Sequence, residues 1–218
     1  MNFAELLVSN LIGLVVGLVT SFFSWWVLFH WLVPAIQFSE SISKIQRSGG
    51  SGHSYRIKFQ NTGRRAIIGV EVFARLSVNW SGDSNWTGLY IPLSGDGESK
   101  YEIPHLGIGG NRVLSFFLNA TESFRTNIRY ADDFKHKASE GRISMEDVLS
   151  LGKAAQIQIF VSGYDAFSGS RKVYMSKHFR LSDIKTGRFR DLSVDLAQTK
   201  EGEKIESTPH GSTPPSGA

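Results

Sequence analysis

The spacing of apolar residues changes character at Pro34. Before it, LLVSNLIGLVVGLVTSFFSWWVLFHWLV, Leu6 to Val33, runs without a charged side chain. About 20 apolar residues suffice for a helix to cross the hydrocarbon layer. The run therefore predicts a transmembrane helix over residues 6–35, behind a short N-terminal flank at residues 1–5. A core helix of this length would be unusual. A cleaved signal peptide would carry a basic flank and a small-residue cleavage pattern, and neither precedes Pro34, the residue that ends the helix.

After Pro34 the period becomes two. In YRIKFQN, Tyr55, Ile57 and Phe59 face one way while Arg56, Lys58 and Gln60 face the other. In IIGVEVFARLSV the apolar face is Ile68, Val70, Val72, Ala74, Leu76 and Val78, and in AAQIQIFVS it is Ala155, Ile157, Ile159 and Val161. Such alternation predicts half-buried strands with one face on a core. Clusters of Gly, Asn, Asp and Ser separate the runs: RSGGSGHS, QNTGRR, SGDSN, LSGDGES, GIGGN and SGYDAFSGS. Short strands punctuated this way predict an all-β fold, an antiparallel sandwich over residues 36–195. FRTNIRYADDFKHKASEGRISMEDVLSLGK departs from the pattern and reads as a long loop, with Ser144 to Leu151 a short helix or turn. The end, residues 196–218, has no apolar period and reads as a disordered tail.

The helix carries two further signals. Ser9, Gly13, Gly17 and Ser21 recur every fourth residue, and a stripe of small side chains lets helix backbones approach closely in lipid. Trp25, Trp26, His30 and Trp31 gather at its C-terminal end, where an aromatic belt meets headgroups. Lys44, Arg47 and Arg56 follow the helix while MNFAE has no Lys or Arg, which orients the C-terminal domain toward the cytoplasm. The absence of cysteine excludes a disulfide framework and thiolate chemistry, and suits a reducing compartment.

Catalytic signals are missing from the sequence. The 6 histidines are scattered without metal-ligand spacing. There is no G-x-S-x-G elbow, GIGGNR lacks a Walker lysine, and Asp132, Asp133, Glu140, Glu146 and Asp147 do not follow a calcium-loop pattern. No enzyme activity, cofactor or metal is expected. The sequons at Asn79, Asn85 and Asn119 would be inert in a cytoplasmic domain. One basic stretch stands out: Arg171, Lys172, Lys177, Arg180, Lys185, Arg188 and Arg190 against a single acid, Asp183. It could meet anionic lipid headgroups, or it could be a solvated strand face that deters edge pairing. Net charge is only +4, and without a basic–aromatic surface nucleic acid is disfavoured.

Three blocks, in order, resemble the cytoplasmic C-terminal domain of inward-rectifier potassium channels. PAIQFSESISKIQRSGG matches at Phe38, Ser39, Ile42 and Gly49; IKFQNTGRRAIIGVEVFARL matches at Lys58, Asn61, Ile67, Val70, Val72 and Leu76. The stretch from Ile157 to Phe189 matches at Val161, Gly163, Asp165, Phe179, Asp183, Ile184 and Gly187 as well as at its two ends. The resemblance spans Pro34 to Leu192 and implies an immunoglobulin-like β-sandwich in the cytoplasm. Gly63 stands where the family tends to carry Arg. The second membrane helix, the pore loop and the filter are missing, so ion conduction does not carry over. The junction LFHWLVPAIQFS has no Lys or Arg, so the family's lipid-gating site does not carry over either.

The expected protein is a single-pass, membrane-anchored binding and assembly module that forms homo-oligomers. Alternatives are an accessory subunit of a membrane-protein partner, a sensor of anionic lipid surfaces, and an oligomer whose helices line a pore through Ser9, Asn10, Thr20, Ser21 and Ser24.

Overall fold

The computed structural model describes residues 3–47, 52–93, 100–127 and 129–196. The expected tail at residues 196–218 apart from Leu196, half of the RSGGSGHS cluster and most of the LSGDGES cluster lie outside the described residues. Helix α1 (Phe3–Trp26) continues through a π-helical turn, Val27–Trp31, closed by a hydrogen bond from the Leu32 amide to the Val27 carbonyl at 3.0 Å. The apolar span Leu6–Trp31 is 26 residues long and is exposed except at Val27 and Leu28, which are half-buried where the helix meets the sandwich.

Two β-sheets follow. The first contains β1 (Ile36–Phe38), β2 (Ile42–Gln46), β3 (His53–Asn61), β7 (Asn111–Ser115), β10 (Ile184–Arg190) and β11 (Ser193–Leu196). β1 and β2 are two parts of one broken strand along the same edge of β3, because Gln60 pairs with both Gln37 and Asn111, and Arg56 with both Ser43 and Ser115. The second sheet contains β4 (Ile67–Asn79), β5 (Trp86–Ile91), β6 (Tyr101–Leu106), β8 (Ala154–Asp165) and β9 (Arg171–Met175). β5 and β6 lie end to end on one side of β4, with β8 on the other and β9 outermost. The pairing is antiparallel except for β2 with β10.

The alternating residues face a shared core as expected: Ile57, Phe59, Val72, Ala74, Leu76, Ile157, Ile159 and Val161 are all fully buried. One phase differs. Ile67 rather than Ile68 enters the core, and Ile68 stays 42% exposed. The cause is a bulge between Ile68 and Glu71, where Gly69 adopts φ +55° and an extra residue reverses the facing of what precedes it.

The segment expected to be a loop with one short helix or turn at Ser144 to Leu151 contains that helix and two more, so the domain is not purely β. They are α2 (Ser123–Thr126), α3 (Asp132–Ser139) and α4 (Met145–Leu149). Each is too short to display a helical period, yet each buries an apolar side: Phe124, Phe134 and Ala138, then Met145, Val148 and Leu149. Phe124, Tyr130 and Phe134 pack ring against ring, with centroids 5.1–5.9 Å apart. Ser144 and Asp147 form a capping box that starts α4, a signal visible in the sequence as S-x-x-D.

Candidate functional site

The helix joins the sandwich through a clamp built on the turn between β3 and β4. The linker lies across this turn, which donates three backbone bonds: Arg64 N–H to the Val33 carbonyl at 3.0 Å, and Thr62 and Gly63 N–H to the Ala35 carbonyl at 2.8 and 3.2 Å. The close approach explains Gly63, because any Cβ there would collide with the Val33–Ala35 backbone. From the opposite side the Tyr174 hydroxyl donates to the Pro34 carbonyl at 2.9 Å. Burial, and secondarily the charge of Asp165, pushes the Tyr174 hydroxyl up to about 12, so it is a neutral donor near neutrality.

Asn61 organises the turn from beneath. Its side chain is fully buried, with its amide nitrogen donating to the carbonyls of Arg65 (2.7 Å), Gly107 (3.2 Å) and Leu106 (3.3 Å). Its amide oxygen accepts from Gly63 N–H at 3.1 Å and from Ala35 N–H at 3.4 Å. A buried amide satisfied on both ends fixes a single backbone path. This residue holds β3, the β6–β7 turn and the linker together.

Arg65 and Arg64 then reach the helix itself. Arg65 is 9% exposed and donates to the Leu28 carbonyl in the π-helical turn at 2.5 Å and to the Asp165 carboxylate at 3.3 Å. Its guanidinium lies 4.2 Å from the ring centre of Phe167. The π-turn explains the reach, since an i→i+5 step spares the Leu28 carbonyl its usual intrahelical partner. Asp165 is 2% exposed. Burial would raise its pKa, but bonds from the Phe167 amide and the Ser168 hydroxyl, together with Arg65, hold it below the ordinary carboxylate range. Exposed Arg64 stacks 3.9 Å from the ring centre of Trp31. The fold thus brings two arginines to a junction whose linker sequence has none, and Asp165 neutralises one of them.

Ser9, Gly13, Gly17 and Ser21 lie exposed along α1, and nothing lies within 4 Å of where a Cβ at Gly13 or Gly17 would stand. Trp25, Trp26 and His30 form one aromatic group, His30 stacked on Trp26 at 5.9 Å and edge-on to Trp25 at 5.6 Å. Trp31 belongs to the junction instead. The basic stretch is spread over the domain. Arg171 pairs with Glu71 at 3.0 Å, and Lys177 pairs with Asp183 at 2.6 Å. Lys172 sits opposite Gly163 near the junction, while Phe179, next to Arg180, sits opposite Ile157. Six residues of β8 separate those points, about 20 Å along a strand. Lys185, Arg188 and Arg190 are on the other sheet, in β10. Among the described residues no group of His, Asp or Glu is gathered to hold a metal.

A second surface lies on the outer side of the β4–β8 sheet. Phe73 stacks on its cross-strand partner Phe160 at 4.9 Å, and Tyr90 meets Phe73 edge-on at 5.6 Å. Met175, paired with Phe160, is 61% exposed. These residues make an apolar row across four strands on a face that should be polar. The signal was present in VFAR and IFV, where an aromatic occupies the phase opposite to the core.

No protein-family model matches this chain, and no curated protein sequence matches it. Among solved structures it is similar to Spo0M, a sporulation control protein from Bacillus subtilis, at 8% identity and a TM-score of 0.28. The match covers 68% of this chain and 49% of the Spo0M chain, so it spans about half of that protein's length. None of these comparisons supports an inward-rectifier identity.

Proposed function

We propose that this protein is a single-pass membrane-anchored, non-catalytic binding and assembly module. Its domain is an immunoglobulin-like sandwich facing the cytoplasm, and two or more copies associate through their helices and sandwiches. The observation that carries this reading is the clamp at the junction. Leu28, Val33, Pro34 and Ala35 are each held by the sandwich through named hydrogen bonds. A signal peptide destined for removal has no use for such contacts, and cutting it away would leave Arg65 and Tyr174 without them. A helix held in this way transmits its position to the sandwich.

Association rests on two surfaces that point away from the protein's own core. The small-residue stripe at Ser9, Gly13, Gly17 and Ser21 suits close helix contact within lipid. The row of Tyr90, Phe73, Phe160 and Met175 suits contact between sandwiches. The test is the oligomeric mass of the full chain in lipid nanodiscs. An oligomer that loses copies on Phe73→Ser substitution supports the reading, whereas a strict monomer at every protein concentration contradicts it.

A further inference from the structure

At the end of the sandwich opposite the junction lies an open cleft. His53 and Asn61 mark the two ends of β3, about 26 Å apart on an extended strand. The cleft consists of two adjoining cavities of about 370 and 400 Å³ that share Arg47, His53, Tyr55, Asn119 and Ile143. It is bounded by the β2–β3 strand ends, the stretch after β7, and the turn between α3 and α4. Its volume is in the range of small-molecule sites.

The walls are segregated by chemistry. Tyr55, Phe116, Leu118 and Ile143 are buried side chains that form the apolar side. Arg47, His53 and Arg142 supply the polar rim, with Ser54 and Asn119 between them. Among the described residues no carboxylate lines either cavity. Glu140, just outside, pairs with Arg142 and leaves Arg47 as the cation without an ion-pair partner among the described residues. The back wall is rigid, because Glu146 accepts from both Lys44, at 2.6 Å, and the Tyr55 hydroxyl. That fixes the ring of Tyr55 from behind while its face remains in the cleft.

We propose that this cleft binds a small organic anion, a molecule with one phosphate or carboxylate group and an apolar body of roughly ring size. The anionic group sits between Arg47 and His53, and the body lies against Tyr55, Phe116 and Ile143. Charge alone would not explain the apolar wall, and an apolar ligand would leave the cationic rim unused.

The experiment is calorimetric titration of the full chain in phosphatidylcholine nanodiscs with three probes: phenyl phosphate, inorganic phosphate and benzyl alcohol. Phenyl phosphate should bind one per chain with a Kd below about 1 mM, and the other two at least about tenfold more weakly. Arg47→Gln should weaken phenyl phosphate at least about fivefold, while Lys172→Gln, on β9, leaves it unchanged. Arg47 is exposed, so an unaltered melting temperature will separate lost binding from lost fold. Equal binding of inorganic phosphate, unchanged affinity in Arg47→Gln, or no heat from phenyl phosphate at ten times that concentration would each overturn the proposal.

Discussion

Arg65 and Asp165, 100 residues apart in the chain, form a buried ion pair whose other arm ends on the carbonyl of Leu28 in the helix. The pair therefore belongs to three elements at once: the β3–β4 turn, the end of β8 and the last turn of the helix. Burying two charges is costly, and removing one partner strands the other without compensation. Asp165→Ala should destabilise the domain by about 3–5 kcal/mol, measured by urea unfolding in nanodiscs. A loss of well under 1 kcal/mol would show that the guanidinium is solvated rather than held.

The same carboxylate sets an acid limb. Its folded pKa lies below the ordinary value, so the folded state binds its proton less readily than the unfolded chain. Its contribution is complete above the unfolded value of about 3.9 and is lost as pH falls through the lower folded value. Stability plotted against pH should fall on the acid side, and Asp165→Asn should flatten that fall. Identical slopes in the two proteins would remove Asp165 from the account.

Gly63→Ala tests the fit of the linker. A methyl at this position meets the Val33–Ala35 backbone directly, and overpacking of this kind costs about 1–3 kcal/mol. Limited proteolysis should then cut near Pro34 in the variant and not in the wild type. Tyr174→Phe is the milder probe. It deletes one hydrogen bond, worth about 1 kcal/mol, without adding volume.

Two substitutions address assembly. Gly13→Leu with Gly17→Leu should reduce crosslinked oligomer in intact membranes, because branched side chains keep the helices apart. Phe73→Ser should lower the oligomer size without lowering the melting temperature by more than a few degrees, since Phe73 faces outward from the core. Retention of full oligomer size in both variants would leave neither surface with a role.

Much of the sandwich could be read from the alternation, because a strand with one wet face writes its burial into every second residue. Tyr55, Ile57 and Phe59 needed no further information. The phase of Ile67 and Ile68 was hidden by the bulge at Gly69, a backbone irregularity that shifts the facing by one residue. The short helix α4 is legible from Ser144 and Asp147, whereas α2 and α3 are not, because a turn or two carries too few residues for a 3.6-residue period to emerge. The junction was illegible for a different reason. QNTGRR has the composition of an ordinary surface turn, and its role depends on Asp165, Tyr174 and Leu28, contributed by distant parts of the chain. The basic stretch after Gly169 was the converse case: it is continuous in sequence but divided between two sheets in space.

The clamp should make helix and sandwich move as one body. The chain has 0 cysteines, so a pair of spin labels can be placed without competing sites. Ser24→Cys on the helix and Ile108→Cys on the β6–β7 turn, diluted with unlabelled protein in nanodiscs, give that distance by double electron–electron resonance. An intact clamp gives one narrow distance distribution that broadens in Asp165→Ala. A broad distribution in the otherwise unaltered protein would mean that the sandwich swings on a free tether, and would contradict the clamp.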